Sequence, residues 1–538
     1  MAQQFNFLFV SDFHLSEGRN PANGLIHRNE DFFQDIPFAQ MIAHHVKLSR
    51  RETAVEYHRI PWKLVINGDI FDFLQVVSLP REGAELFGVK GVRSQKELSK
   101  NEQDFGLGTS SPEIVWKVSR IAQGHPTFFQ ALAWFVAQPG NELILMKGNH
   151  DIELYWPDVQ LRLRQLLQKA YEDWRKTAVP GDDHALLPYF DDLPEALSLD
   201  MLQKQVRFPT AFLYEPGLFY AEHGCQFEPA NAFRNFEDPR LVPSESFQEA
   251  ANFIELPSGS LFVRYFFNDV EHIHPFADNM KPISRYVFWL LRHAPGELTT
   301  FAWKLLPQYL RARREVNKKM ARQEHEPPQE ETADPFLRAI HDIQIHSRES
   351  ISTSTWQTLG RLGGSVLLVL VAVALLFLAV RVIALGTYWP AIIAVLLALI
   401  FGYTASGMMQ SLDHLLEGEY LFQGAGSIAR LLNGNTHPGY GSVRYFIFGH
   451  DHAANVQLLP PTDKDRPNYR QWYVNTGAWV PVFSESERLL RQDEQLTFLR
   501  LVPGRVQSSD EAQNRDMPEL LQWSAQANAP LDVRLFAV

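Results

Sequence analysis

The sequence predicts an α/β fold with a polar site at the carboxyl ends of its strands. Two observations carry this. First, short apolar runs end again and again in polar turns. Phe5–Val10 runs into Ser11-Asp12-Phe13-His14, Leu64–Asn67 into Gly68-Asp69-Ile70-Phe71-Asp72, and Leu143–Met146 leads to Gly148-Asn149-His150-Asp151. Phe219–Ala221 runs into Glu222-His223-Gly224, and Tyr445–Phe448 into Gly449-His450-Asp451-His452. Second, Ser111–Ala137 carries apolar residues at helical spacing (Ile114, Val118, Ile121, then Phe128, Leu132, Phe135), as expected of a crossover helix pair returning to a parallel strand at Leu143. In such folds ligands gather at the strands' carboxyl ends.

Each element has its own reason. The residue between Asp12 and His14 lets both side chains leave an extended segment on one face, which suits two ligands of one ion; alone, the pair also reads as a strand-end turn with a capping Asp. Gly68 lets the backbone turn close to whatever Asp69 faces, and Asp72 lies where it could orient another site residue. Leu161–Trp174 reads as an amphipathic helix, Pro180–Leu193 as an acidic surface loop or lid. His223 by itself reads more readily as a structural residue than as a ligand, until its company is considered. The aromatic insert Asn235–Lys281, with His272 and His274, reads as a packed helical cap. Ile283–Leu310 is dense in aromatics and leucines and leads into a basic run (Arg311, Arg313, Arg314, Lys318, Lys319, Arg322), which fits an interfacial segment or a solvated helix. Glu324–Asp334 is a Pro/Glu/Gln linker.

Between Gly363 and Met409 the only charge is Arg381. Gly363–Ala384 and Tyr388–Met409 each approach the ~20 apolar residues that cross a bilayer. Gly386 breaks them, Tyr388 and Trp389 suit a headgroup layer, and Pro390 suits a first helical turn. The sequence thus predicts a two-helix transmembrane hairpin. Beyond it, Trp472–Thr476 reads as a strand followed by Gly477-Ala478-Trp479, and the polar stretch from Gln507 to Pro530 as peripheral.

Length and composition narrow the functional classes. At 538 residues the chain can bury a large core, and its net charge of −12 argues against a nucleic-acid partner. Cys225, the single cysteine, allows no intramolecular disulfide. The N-terminal apolar run is too short for a signal peptide and reads as the first strand.

Taken in order, Asp-x-His, Gly-Asp-x-x-Asp, Gly-Asn-His-Asp, His-Gly and Gly-His-x-His resemble the calcineurin-like metallophosphoesterase superfamily over residues 5–225 and 440–480. Ser-Asp-Phe-His-Leu and Val-Asn-Thr-Gly-Ala-Trp are similar to the bacterial branch that includes UDP-2,3-diacylglucosamine pyrophosphohydrolases, which carry Gly-Asn-Arg-Asp where this chain has Gly-Asn-His-Asp. The resemblance implies a four-layer αββα sandwich. It implies that Asp12, His14 and His452 hold one divalent metal, that Asn149, His223 and His450 hold a second, and that Asp69 bridges them. It also implies that an activated water between the ions attacks a phosphodiester, pyrophosphate or phosphomonoester. His150 would assist the leaving oxygen, Asp72 would fix its tautomer, and Asp151 would brace the turn. Manganese is favoured by the oxygen share of the donors, and iron, zinc and cobalt accept the same set.

The expected organisation is therefore a split metallophosphoesterase domain (residues 1–234 and 410–506), a helical insert with a basic segment and linker (235–362), the hairpin (363–409) and a C-terminal tail (507–538). The expected setting is a bacterial inner membrane with the catalytic domain cytoplasmic, membrane lipids as partners and a phosphoester substrate that could be lipid-linked. The alternative is a metal-binding scaffold at the membrane that has lost catalysis.

Overall fold

A computed structural model of the chain describes residues 4–81, 86–93, 95–177, 190, 196–241, 243, 248–268, 296, 307, 310–311, 314, 334–386, 388–416, 420–461, 469–486, 489–503 and 517–533. In chain order the elements are β1 (Asn6–Val10), α1 (Asp35–Arg50), β2 (Trp62–Asn67), α2 (Lys100–Phe105), α3 (Ser111–Gly124), α4 (Pro126–Ala137), β3 (Glu142–Met146), α5 (Pro157–Thr177), α6 (Leu199–Gln205), β4 (Val206–Arg207), β5 (Leu213–Glu215) and β6 (Phe219–Ala221). There follow α7 (Ser258–Phe262), α8 (Pro335–Ala384), α9 (Trp389–Leu416), α10 (Tyr420–Asn433), β7 (Tyr445–Phe448), β8 (Asn455–Leu458), β9 (Trp472–Asn475), the ribbon β10 (Pro481–Ser486) and β11 (Leu489–Glu494), β12 (Thr497–Leu501), β13 (Glu519–Ser524) and β14 (Ala529–Asp532).

The strands form a seven-stranded sheet, β14-β13-β12-β1-β2-β3-β4, and a five-stranded sheet, β5-β6-β7-β9-β8. From β1 to β4 the pairing is parallel, as it is along β6-β7-β9; the flanking strands are antiparallel. Strand periodicity explains why β1 is apolar from Phe7 to Val10. Phe7 and Phe9 face the second sheet, where they meet Phe219 edge-on at 5.1 and 5.0 Å and pack with Ile144, Tyr445 and Val474. Leu8 and Val10 point the other way, into a core shared with α1, α3, α4 and α5. A strand buried on both faces has no polar positions to spare. The crossover reads in the structure as the sequence has it: Pro126 starts α4 directly after α3 ends.

Two expectations need correction. The stretch from Gln507 to Pro530 is not peripheral along its length: β13 and β14 extend the first sheet through β12, and Trp523 is buried in the main core. The transmembrane hairpin is overturned. Among the described residues no helix is long and apolar enough to cross a membrane. A charged residue, Arg381, lies in the apolar end of α8, and a charge within a span is costly. With the hairpin goes the expected location as an inner-membrane protein with two spans. Residues 227–229 and 339–424 form a compact helical unit of their own, separate from the unit that holds both sheets. Its helices turn at Gly386, whose φ is +77°. His272, His274, the loop at 180–193 other than Phe190 and most of 283–333 lie outside the described residues.

Candidate metal centre

Five loops leave the carboxyl ends of β1, β2, β3, β6 and β7 and lock together through their main chains. Phe13 N and His14 N both donate to Asp69 O (2.9 and 3.0 Å), Gly449 N donates to His223 O (3.0 Å), and Trp479 N donates to Asp12 O (3.0 Å). Ser11 Oγ, 2.7 Å from Thr476 Oγ1, links β1 to the loop after β9. The close fit explains two motif glycines. A Cβ at Gly148 would lie 2.1 Å from Asp69 Oδ1; one at Gly68, where φ is +87°, would lie 2.3 Å from His223 Nδ1.

The polar residues singled out in the sequence all converge here. Asp12, His14, Asp69, Asp72, Asn149, His150, His223, His450 and His452 are buried. Three groups of ligating atoms lie close enough to hold a metal: Asp12 with His14 and His452; His14 with Asp69 and His150; and Asp69 with His223 and His450. His452 Nε2 is 3.3 Å from Asp12 Oδ1 and 3.1 Å from His14 Nε2. Asp69 Oδ2 is 3.1 Å from His223 Nε2 and 3.8 Å from His14 Nε2, so one carboxylate stands between the two outer groups. Asn149 Oδ1 is buried with no hydrogen-bond partner among the described residues, an acceptor aligned with no protein donor.

Neighbouring hydrogen bonds fix which imidazole nitrogen faces inward. His223 Nδ1 donates to Asn67 O (2.8 Å), leaving Nε2 for Asp69 or a metal. His150 Nδ1 donates to Asp72 Oδ2 at 2.6 Å, as expected of a residue held in one tautomer. Asp151 braces the turns: it accepts from Ile70 N (2.8 Å), Phe71 N (3.3 Å) and Gly148 N (2.6 Å).

The electrostatics are those of a cation site. Burial works against ionising Asp12 and Asp69, yet the surrounding imidazoles hold both well below the usual carboxylate range: His14 and His452 around Asp12, His223 and His150 around Asp69. Burial likewise works to lower His14 and His223, but the carboxylates dominate. Asp12, Asp72 and Asp69 raise His14 well above its ordinary value, and Asp69 and Asp12 raise His223 to about 9. Protons on these rings compensate charge that a metal would otherwise compensate. Buried His and Asp groups of this chain can thus hold a metal ion.

One feature has no sequence signal. Asp12, His14, Asp69, His450 and His452 all have left-handed backbone, with φ of 55°, 48°, 51°, 75° and 60°. Non-glycine residues in this region store about 1–3 kcal/mol each where the surroundings enforce it, and such residues cluster at functional sites. Sequence reasoning also passed over Asn475, whose Nδ2 donates to Gly449 O (2.7 Å) and Asp451 Oδ1 (2.6 Å) and so shapes the Gly449–His452 turn. Its signal is the Val-Asn-Thr-Gly-Ala-Trp run in which it stands at the end of β9. Comparison with family models, characterised proteins and solved structures finds no match to this chain.

Proposed function

We propose that this chain is a hydrolase of phosphoric esters or anhydrides that works with two divalent metal ions. The observation that carries the reading is Asp69: a fully buried carboxylate between the Asp12/His14/His452 group and the His223/His450 group. Asp12, His14 and His452 would hold one ion and Asn149, His223 and His450 the other, with Asp69 shared. The donors fit. They mix imidazole nitrogen with carboxylate and amide oxygen, a set that manganese, iron, zinc and cobalt accept. When bound, the ions would supply charge neutralisation for a phosphoryl group and acidify a water molecule.

The chain's own residues do the rest. Neutral imidazoles and one amide limit the negative charge, so that an anionic substrate is not repelled. His150 would present Nε2 to the oxygen of the departing group, because Nδ1 is committed to Asp72. The Asp72 carboxylate, kept ionised by His150 and His14, stabilises the imidazolium before the proton leaves.

The test is turnover of bis-nitrophenyl phosphate, nitrophenyl phosphate and a nucleoside diphosphate-linked amphiphile by the purified chain with manganese. The expected result is hydrolysis abolished by a chelator and restored by metal, with the preferred probe assigning the ester class. Two bound metals without turnover of any probe would instead favour the scaffold, and turnover indifferent to chelation would refute the metal mechanism.

A further inference from the structure

The helix that begins with α7 continues through a π-helical turn, Val263–Phe267, to Asn268. π turns inside helices often mark functional sites. Ser260, Arg264 and Asn268, spaced by four, are all buried. The last two point polar groups at main-chain carbonyls. Arg264 donates to Gly106 O (2.9 Å) and Leu107 O (2.7 Å), tying the helix to the loop ahead of α3. Asn268 Nδ2 donates to Leu74 O (2.9 Å). From α3, Lys117 donates to the adjacent carbonyl, Phe73 O, at 2.7 Å. A lysine in the buried face of a helix is costly unless its ammonium has a task. Burial and Arg264 together pull it down to about 7, and it donates in either charge state.

Phe73 and Leu74 directly follow Asp72. Inside that turn, Leu74 N and Gln75 N donate to Asp72 Oδ1 (2.9 and 3.0 Å), which leaves Oδ2 for His150. Phe73 N donates to His150 O (3.3 Å), and Asp72 N to Leu15 O (2.8 Å). The amides of the turn thus face the site, while its carbonyls face away and are met by Lys117 and Asn268. We propose that Lys117 and Asn268 are positioning residues that grip the Phe73 and Leu74 carbonyls and thereby set the Asp72 carboxylate on His150. The proposal rests on the reading of His150 as the leaving-group acid. It gives the aromatic insert a role in the catalytic cycle beyond packing.

The experiment compares wild type, Lys117→Met and Asn268→Ala, each alone and combined with His150→Ala, as full chains loaded with manganese. Three quantities are read: steady-state turnover of bis-nitrophenyl phosphate, bound manganese, and hydrogen exchange of the peptide spanning Asp72–Val76. Losing such a supporting contact is expected to lower kcat about 10–100-fold. KM and bound manganese should stay at wild-type values, exchange of the peptide should quicken, and neither substitution should slow the His150→Ala enzyme further. Equal losses in the wild-type and His150→Ala backgrounds would overturn the proposal, as would loss of manganese. Exchange unchanged in both variants would overturn it even if the wild type hydrolysed nothing. Absent wild-type turnover would refute the hydrolase reading alone, because quicker exchange in the variants would still support the grip on the turn.

Discussion

The strand-end loops and the helices α8 and α9 both depart from the rule that polar side chains face water, and they do so in opposite senses. At the loops, nine polar residues are withdrawn from solvent, and seven of them fall into three groups close enough to hold a metal. In the helices, apolar side chains stand exposed, among them Ile393 at 57%, Leu399 at 64% and Tyr403 at 85%. The first departure carries ion-pair and backbone costs that a cation would offset. The second forms no packed core among its exposed residues, so single positions there contribute little to stability.

The sharpest test of that contrast is Asp69→Asn, which removes the carboxylate between the two ligand groups. Turnover should fall below detection and bound metal should drop, as read by elemental analysis. His150→Ala should cost about 10²–10⁴-fold in kcat while metal content holds, because it removes a proton donor and not a ligand. Gly148→Ala should destabilise the fold by about 1–3 kcal/mol in denaturant melts and weaken metal binding, since the added methyl must displace Asp69.

A smaller effect is expected from pH. His125 sits between Glu30 Oε2 (3.1 Å) and Asp35 Oδ1 (3.2 Å). Burial works to lower it, but the two carboxylates raise it to about 10. A group raised in the folded state contributes stability that is full below its unfolded value near 6.5 and is lost as pH climbs through about 10. Thermal melts of metal-loaded protein should therefore show less decline over that window in His125→Gln than in wild type. Smallest of all, Ile393→Ser or Leu399→Ser should change the stability of the chain by no more than about 0.5 kcal/mol. A large loss at either would break the comparison, because it would mean those faces are covered.

Much of the site was legible in the sequence because each ligand follows an apolar run within a few residues, and a parallel sheet brings the carboxyl ends of its strands together whatever lies between. β1, β2, β3, β7 and β9 fell where their apolar runs are, and Asp72 was found at His150. The remainder depended on information that is not local. Glu519–Ser524 is too polar to announce a strand, and its pairing with β12 and β14 makes it one. Lys117 looks like a helix-surface lysine until Phe73 O is seen above it. The left-handed backbone of His14 or His450 is imposed by neighbouring loops, since neither residue type requires it. The hairpin was misread because apolar residues were counted along the sequence, whereas among the described residues no helix is long and apolar enough to cross a membrane.

The parallel pairing of β6 with β7 has a consequence for biosynthesis. Ala221 pairs in register with Ile447, although roughly 220 residues separate them. At about 5–20 residues per second, a ribosome needs roughly 10–45 s to deliver the partner strand. Through that interval β6 presents an open edge towards the place of β7, and His223 waits without His450 and His452. A pairing this distant also raises contact order and slows closure of the second sheet after release. The nascent chain is thus most exposed to misassociation midway through synthesis, and the last ligands to emerge are the ones that complete the metal centre.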